Sequence, residues 1–284
     1  MLDASQAIAP SVDLERPSVA RVYDYLLGGA SNWAIDRVFA QRILRKFPLF
    51  KDIARANRMF VNRVVRHLAR LGVRQFLDVG SGIFSTGNTH QVLDEVATGT
   101  RVIYVDNEPM TVAHAEVLLE EVGDRRRHAI LQADLRRPDA LWSDALDTGL
   151  LDLDEPVAVL MFSVLHVIEP APDGDDMAAR SIARYRDLLP AGSYLGISHV
   201  TDEGIPDELR PKLRTLKELC DLSCASKVYC RSRASIDAFL GDFKRIEPGM
   251  VWTPAWHPEA EPDPVRLASP GHAVVWAGVG QKLG

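Results

Sequence analysis

The chain is poor in cysteine, in basic runs and in long apolar stretches, and each shortage removes a class of function. Of its 284 residues three are cysteines, Cys220, Cys224 and Cys230. An odd number clustered in one region does not build a disulfide framework. No C-x-x-C occurs and no histidine is close by in sequence, so a zinc site is not expected there. The thiols read as buried or incidental, with Cys220 and Cys224 on one face if their segment is helical. No apolar segment is long enough to cross a bilayer, and residues 1–12 lack the basic region and apolar core of a secretory signal. A cytoplasmic address without a membrane partner is expected. Acidic and basic residues interleave to a net charge of −6 without a polybasic tract, which argues against nucleic acid as the partner. Against these absences stands a hydrophobic content of 46%, enough for a substantial core.

The most informative stretch is Arg74-Gln75-Phe76-Leu77-Asp78-Val79-Gly80-Ser81-Gly82. An apolar run ends in an acidic residue and then in two glycines spaced G-x-G. Such a turn lets backbone approach a ligand where a side chain would block it. About two dozen residues later the pattern recurs in part as Arg101-Val102-Ile103-Tyr104-Val105-Asp106-Asn107. An acidic residue closing that second strand can accept hydrogen bonds from both hydroxyls of a ribose. Together the two runs describe a nucleoside-binding crevice at the carboxyl ends of parallel strands.

Three helical patterns precede the crevice. Val19, Val22, Tyr23, Leu26 and Leu27 recur at helical spacing over 18–27, with Gly28-Gly29 as the stop. Ser31 or Asn32 can cap a second helix carrying Trp33, Ile35, Val38, Phe39 and Ile43. A third spans 50–71 and has Asn57 within its apolar stripe, where a buried amide needs partners. Arg58 beside it reads as solvated. Residues 1–16 read as a flexible lead, 17–72 as a helical cap and 73–284 as the core, with cap and core forming one compact unit.

Beyond residue 73 strands and helices alternate. Strands are expected at 74–79, 101–106, 128–133, 157–162 and 193–199, and helices at 89–97, 109–122, 138–146 and 176–189. Continuous apolar strands alternating with helices imply a parallel sheet covered on both faces. The end of the chain breaks this rhythm. Two strand-like runs, 243–252 and 272–280, have no helix between them, only a linker with Pro254, Pro258, Pro262, Pro264 and Pro270. They can pair antiparallel, as in class I methyltransferases and unlike the all-parallel dinucleotide fold. The glycine turn separates the same two readings: a dinucleotide fingerprint needs a third glycine at 85, where Ser85 stands. An S-adenosylmethionine site needs only close backbone approach, with Asp78 for the ammonium group, Asp106 for the ribose, and Asp134 with the neighbouring Leu135 N–H for the adenine.

The opening run Pro17-Ser18-Val19-Ala20-Arg21-Val22-Tyr23-Asp24-Tyr25-Leu26-Leu27-Gly28-Gly29 resembles the signature of the actinobacterial S-adenosylmethionine-dependent methyltransferase family formerly catalogued as a domain of unknown function. Further marks are Tyr104-Val105-Asp106-Asn107-Glu108-Pro109, Gln132-Ala133-Asp134-Leu135, Ser163-Val164-Leu165-His166, Pro190-Ala191-Gly192 and the terminal Gly278-Val279-Gly280. The resemblance covers almost the whole chain. It implies an α/β class I methyltransferase fold: a Rossmann-like three-layer sandwich with a seven-stranded, mostly parallel sheet, one antiparallel strand and an N-terminal helical cap. It also implies S-adenosylmethionine as cofactor, bound by Asp78, Gly80, Ser81, Gly82, Asp106, Asn107, Asp134, Leu135 and Ser163. Phe84 stands where many methyltransferases of other families carry a third glycine, and the loop 83–88 is longer than a minimal strand-to-helix turn.

Candidate catalytic residues are His166, after the fourth strand, and Tyr23 in the signature run; His199 has a weaker claim. Each has a structural alternative: His166 as a loop anchor, Tyr23 as core. The acceptor is expected to be a small molecule, and no metal is expected. A non-catalytic S-adenosylmethionine-binding regulator, without an open acceptor pocket, stays open as an alternative. So does a nicotinamide-dependent oxidoreductase.

Overall fold

The computed structural model describes residues 15–84, 87–169, 175–224, 226–257 and 265–284. The expected lead therefore lies outside the described residues except for its last two. Three helices come first: α1 (Val19–Leu27), α2 (Ala34–Lys46) and α3 (Phe50–Arg70). Then follow β1 (Gln75–Val79), α4 (Thr89–Asp94), β2 (Arg101–Asp106), α5 (Pro109–Val122), β3 (His128–Gln132), α6 (Pro138–Asp147), β4 (Val157–Phe162), α7 (Met177–Leu188) and β5 (Tyr194–Val200). The chain closes with α8 (Arg210–Ser223), α9 (Arg233–Ala238), β6 (Lys244–Arg245), β7 (Val251–Trp252) and β8 (Val275–Gln281).

All eight strands form one sheet in the order β3-β2-β1-β4-β5-β8-β6, with β7 also on β8. Strands β1 to β5 are parallel, and β8 runs antiparallel to β5, β6 and β7. The antiparallel strand, from the late run expected at 272–280, thus sits beside the fifth strand. The run 243–252 is not one strand but two short ones. Pro248 has no N–H to offer the ladder, so pairing stops after Ile246, whose N–H still reaches the Val279 carbonyl at 2.8 Å.

Alternation along the strands divides the core. Leu77, Val79, Ile103, Val105, Val157 and Val159 face one side and pack with α6, α7 and α9. Phe76, Val102, Tyr104, Ala158 and Leu160 face the other, against α3 to α5 and the fully buried Trp256. A third cluster joins α1 and α2 to α8 through Leu26, Phe39, Ile43, Leu213 and Leu216. Helix α3 belongs to two of them: Ile53 and Ala54 to the cap cluster, Phe60 through Ala69 to the sheet cluster. At about 1.5 Å per residue its 21 residues reach some 30 Å, long enough to bridge both cores. Helix α8 is a wall of the cap that the expectations above omit. Its signal is the recurrence of Leu209, Leu213, Leu216 and Cys220.

The signature run explains itself in the turn between α1 and α2. Gly28 ends α1 with φ +87°, and a Cβ on Gly29 would meet Asp24 Oδ1 at 1.9 Å. Neither expected residue caps α2. Asn32 Nδ2 instead donates to Asp24 Oδ2 (2.7 Å) and the Gly29 carbonyl, while Ser31 bonds His114. The α2 cap is Trp33, whose N–H donates to Asp36 Oδ2 at 2.9 Å.

Asp36 also receives the Ser18 N–H and the guanidinium of Arg21, itself 2% exposed, at 2.7 Å. Removing one partner of a buried ion pair strands the other charge. Asp36→Ala is therefore expected to lower unfolding free energy by about 3 kcal/mol or more, read from denaturant titration. Unchanged stability would mean that this pair does not hold the cap.

Candidate functional site

Strand order reverses on either side of β1, between β2 and β4, and a crevice opens above the carboxyl ends at that point. The cap roofs it. The resulting cavity of about 910 Å3 is lined by the strand ends, by α1 to α3, and by α8 with the segment 226–230. Its size lies toward the upper end of small-molecule pockets, roughly 300–1,000 Å3.

The glycine turn forms its floor. The N–H groups of Gly80 and Ser81 both donate to the Val105 carbonyl, at 2.8 and 3.1 Å, which locks the end of β1 to β2. Gly80 has φ +74°, and a Cβ there would meet Val164 Cγ2 at 2.3 Å, so only glycine serves. Gly82, with φ +66°, gives its N–H to Asp106 Oδ2 at 2.9 Å. Phe84 does not reproduce a third glycine. It turns back into the core and meets Tyr104 edge-on with ring centroids 4.5 Å apart, anchoring the longer loop.

The three expected carboxylates all line this cavity, in different settings. Asp78 accepts from Thr89 Oγ1 at 2.6 Å; burial raises its carboxyl pKa, against the Thr89 bond and the nearby positive charge of Arg58. Asp106 accepts from both Gly82 N–H and Glu108 N–H, and burial raises its carboxyl too. Each oxygen keeps a second lone pair for a ligand. Asp134 is bound at 2.6 Å by Arg136, two residues on. Burial pushes its carboxyl up, but the Arg136 bonds outweigh that and hold it below its usual value. Beside it the Leu135 N–H has no partner among the described residues. Asn107 is exposed along the cavity, and Ser81 Oγ is buried without a partner.

Past β4, Ser163 takes φ +55°, its N–H held by the Ser198 carbonyl and hydroxyl. This bend presses Val164 on Gly80 and starts the short helical turn Leu165–Val167 that carries His166. The turn is held from behind, with Tyr229 N–H on the His166 carbonyl and Arg231 on the Leu165 carbonyl. The His166 ring bonds no other described residue; Nδ1 is buried, and the ring lines the cavity. Burial and then the charge of Arg231 lower its pKa to about 4. His199 is buried and has both ring nitrogens taken, Nδ1 by the Val200 carbonyl and Nε2 by Arg231.

Tyr23 also lines the cavity, yet its hydroxyl is not a free base. It donates to the Ala54 carbonyl at 3.0 Å and accepts from Asn57 Nδ2 at 3.1 Å, and burial raises its pKa. The same relay leaves Asn57 Oδ1 buried without a partner. Arg58, expected in solvent, instead lines the cavity with Nε buried and unpartnered. Glu108 and Thr89 are further residues the motifs did not single out. Glu108 accepts from Ser18 Oγ and Arg21, tying the cap to the loop beyond Asp106.

These features fit S-adenosylmethionine. The Gly80 cradle admits backbone approach but no side chain, the Asp106 oxygens keep free lone pairs, and polar atoms at Ser81, Asn57 and Arg58 lack partners.

A model of the S-adenosyl methyltransferase family matches residues 5–283. A candidate methyltransferase from Thermobifida fusca YX is 34% identical, with a TM-score of 0.83 over 99% of this chain and 100% of that one. A protein of the DUF574 family from Streptomyces avermitilis is 29% identical, with a TM-score of 0.84 over 96% and 100%. An O-methyltransferase family protein from Burkholderia thailandensis shares the fold at 14% identity and a TM-score of 0.50, over 82% of this chain and 60% of that one. No curated protein matches the chain. A family model spanning nearly every residue, over a sheet with this strand order and this glycine turn, makes the chain a member of the S-adenosyl methyltransferase family: a class I, S-adenosylmethionine-dependent methyltransferase.

Proposed function

We propose that this enzyme methylates a small, largely apolar acceptor held between the strand ends and the helical cap. The observation that carries the reading is the division of the cavity. Its floor bears the glycine turn and the carboxylates, whereas the side under α1, α2 and α8 is walled by Val22, Leu26, Phe39, Ile43, Leu213 and Leu216. A regulator that merely senses the cofactor has no need of that second, apolar space. S-adenosylmethionine, when bound, supplies an electrophilic methyl group on a sulfonium.

The residues divide the remaining work. Gly80, Ser81 and Gly82 offer backbone to the cofactor, Asp106 and Asn107 the ribose contacts, and Asp134 with Leu135 the adenine contacts. Ser163 sets the bend that aims His166. Tyr23 positions Asn57 and closes the wall. His166 is neutral across the physiological range, because burial keeps its pKa near 4, and so it accepts a proton or hydrogen bond from an acceptor hydroxyl.

The reading is tested by incubating the protein with methyl-labelled S-adenosylmethionine and a cell extract, then separating the products by mass. Label is expected in the small-molecule fraction; label confined to protein or nucleic acid refutes the acceptor class. Asp106→Ala removes ribose acceptors and also frees the Gly82 and Glu108 N–H groups. It should weaken S-adenosylhomocysteine binding by roughly 1–3 kcal/mol in calorimetry. Wild-type affinity in that variant would exclude the ribose role.

With the labelled product as assay, His166→Ala should slow turnover by ~100-fold at unchanged cofactor affinity if the imidazole is a base. The pH profile has a definite sign. The working form is neutral, so the rate should stay level from pH 8 to pH 5 and fall only as pH drops through about 4. A break near the ordinary imidazole value would show a solvated, unshifted ring. A variant that loses stability but keeps its rate would make His166 a loop anchor.

A further inference from the structure

Every cysteine of the chain lines the cavity. Cys220, Cys224 and Cys230 are free thiols on the wall made by α8 and the segment that follows it. The first two form a pair. They lie one helical turn apart at the end of α8, where Cys224 N–H donates to the Cys220 carbonyl at 2.9 Å. Both are buried in the cap cluster with Leu213 and Leu216, and the S–H of Cys224 donates to Cys220 Sγ. At that spacing on a helix the two Cα atoms are about 6 Å apart, within the reach of a disulfide.

The S–H···S bond gives the two sulfurs different tasks. Cys220 accepts, and the bond from Cys224, ahead of burial, lowers its thiol below the ordinary value. Cys224 donates, and the same bond with burial raises its thiol. Cys230 differs: burial and then the charge of Asp202 push it up to about 11. A small oxidant entering the cavity therefore meets one sulfur suited to attack and a second in place to resolve the product.

We propose that Cys220 and Cys224 are a hydroperoxide-reactive dithiol whose disulfide disables the acceptor half of the site and spares the cofactor floor. The functional half of this rests on the acceptor reading above; the thiol chemistry does not. Cys220 as thiolate attacks a peroxide oxygen. The O–O bond breaks, the alcohol (water, from hydrogen peroxide) leaves with the thiol's proton, and Cys220 becomes a sulfenic acid. Cys224 Sγ then attacks that sulfur, the S–O bond breaks, and water leaves with the Cys224 proton. Two thiols lose two electrons in all, and the peroxide gains them.

Forming the bond draws the sulfurs from hydrogen-bond contact to about 2 Å, so the last turn of α8 has to tighten. That turn walls the acceptor space and leads to Tyr229, whose N–H holds the His166 carbonyl at 2.8 Å. Gly80, Gly82 and Asp106 are held by β1, β2 and the loops beyond them, on other partners.

The test treats the full chain with hydrogen peroxide and digests it with trypsin. Cleavage after Lys217 and Lys227 leaves both cysteines on one peptide, 218–227, and Cys230 on another, 228–231. The first peptide should become lighter by two hydrogens and regain them with dithiothreitol. In Cys224→Ser the reaction should stop at a sulfenic acid on Cys220, trapped by dimedone; Cys220→Ser should give neither product. Oxidised wild type should bind S-adenosylhomocysteine within about 2-fold of the reduced protein, yet transfer labelled methyl roughly 10-fold more slowly, reversibly. Should either variant fail to fold, the wild-type peptide masses decide alone. An unchanged 218–227 peptide, or one linked to 228–231, overturns the proposal. So does a disulfide that leaves methyl transfer unaltered or weakens cofactor binding to the same degree. A reduced protein that transfers no methyl group overturns the acceptor reading, and with it the functional half alone.

Discussion

A single buried guanidinium holds the site together. Arg21 projects from α1 to Asp36 at the start of α2 and to Glu108 at the start of α5, at 2.7 Å in each case, with the ring of Trp33 4.0 Å away. Glu108 in turn gives its N–H to Asp106, and Asp106 accepts the Gly82 N–H. The cap, the loop after β2 and the glycine turn are therefore one hydrogen-bonded chain. Burying the charges of Arg21 and Asp36 is justified only when each is matched, and here Asp36 takes Ser18 N–H and Trp33 N–H besides Arg21. Low dielectric strengthens such a network and penalises any gap in it. A ligand that draws on Asp106 thus acts on a group already coupled to the roof of the cavity.

Helix α3 supplies the second constraint. It is buried at both ends, against two different clusters, so its middle cannot move freely. Arg63 reinforces this by donating to the carbonyls of Trp256 and Thr253, at 2.8 Å each, deep under the sheet face. The unpartnered atoms of Asn57 and Arg58 occur on the part of the helix that faces neither core but the cavity. Preorganised polar groups cost stability in the free protein and return it on binding, which is how a rigid scaffold gains affinity without moving.

Most of the frame was legible because it rests on patterns of short range. The apolar runs of β1, β2 and β4 end where acidic residues and glycines interrupt them, and Gly28-Gly29 marks a real left-handed stop. What escaped depended on distant partners. Asn32 has the chemistry of a cap, but Asp24 claims it across the turn. The strand-like run 243–252 is the exception, since Pro248 within the run itself interrupts its ladder. Arg58 is a charged residue on an amphipathic helix, ordinarily a solvated one, and only the packing of α3 across the strand ends turns it inward. The weak basicity of His166 follows from enclosure by segments more than sixty residues downstream, which no local pattern encodes.

Enclosure also bears on how much chemistry the protein itself must do. On the proposed reading, His166 is the base in the acceptor half, and a group with a pKa near 4 has little thermodynamic pull on a hydroxyl proton. Tyr23 cannot help, since its own proton is directed to Ala54 and burial disfavours its anion. Such a base serves an acceptor whose acidity rises as its bond to carbon forms, or one that is nucleophilic without losing a proton first. The larger contribution then comes from holding two reactants in line inside a roofed, mostly apolar space, where orientation alone can lower a barrier by several kcal/mol. That is what the Arg21 network and the doubly anchored α3 provide: fixed distance between a cofactor floor and an acceptor roof.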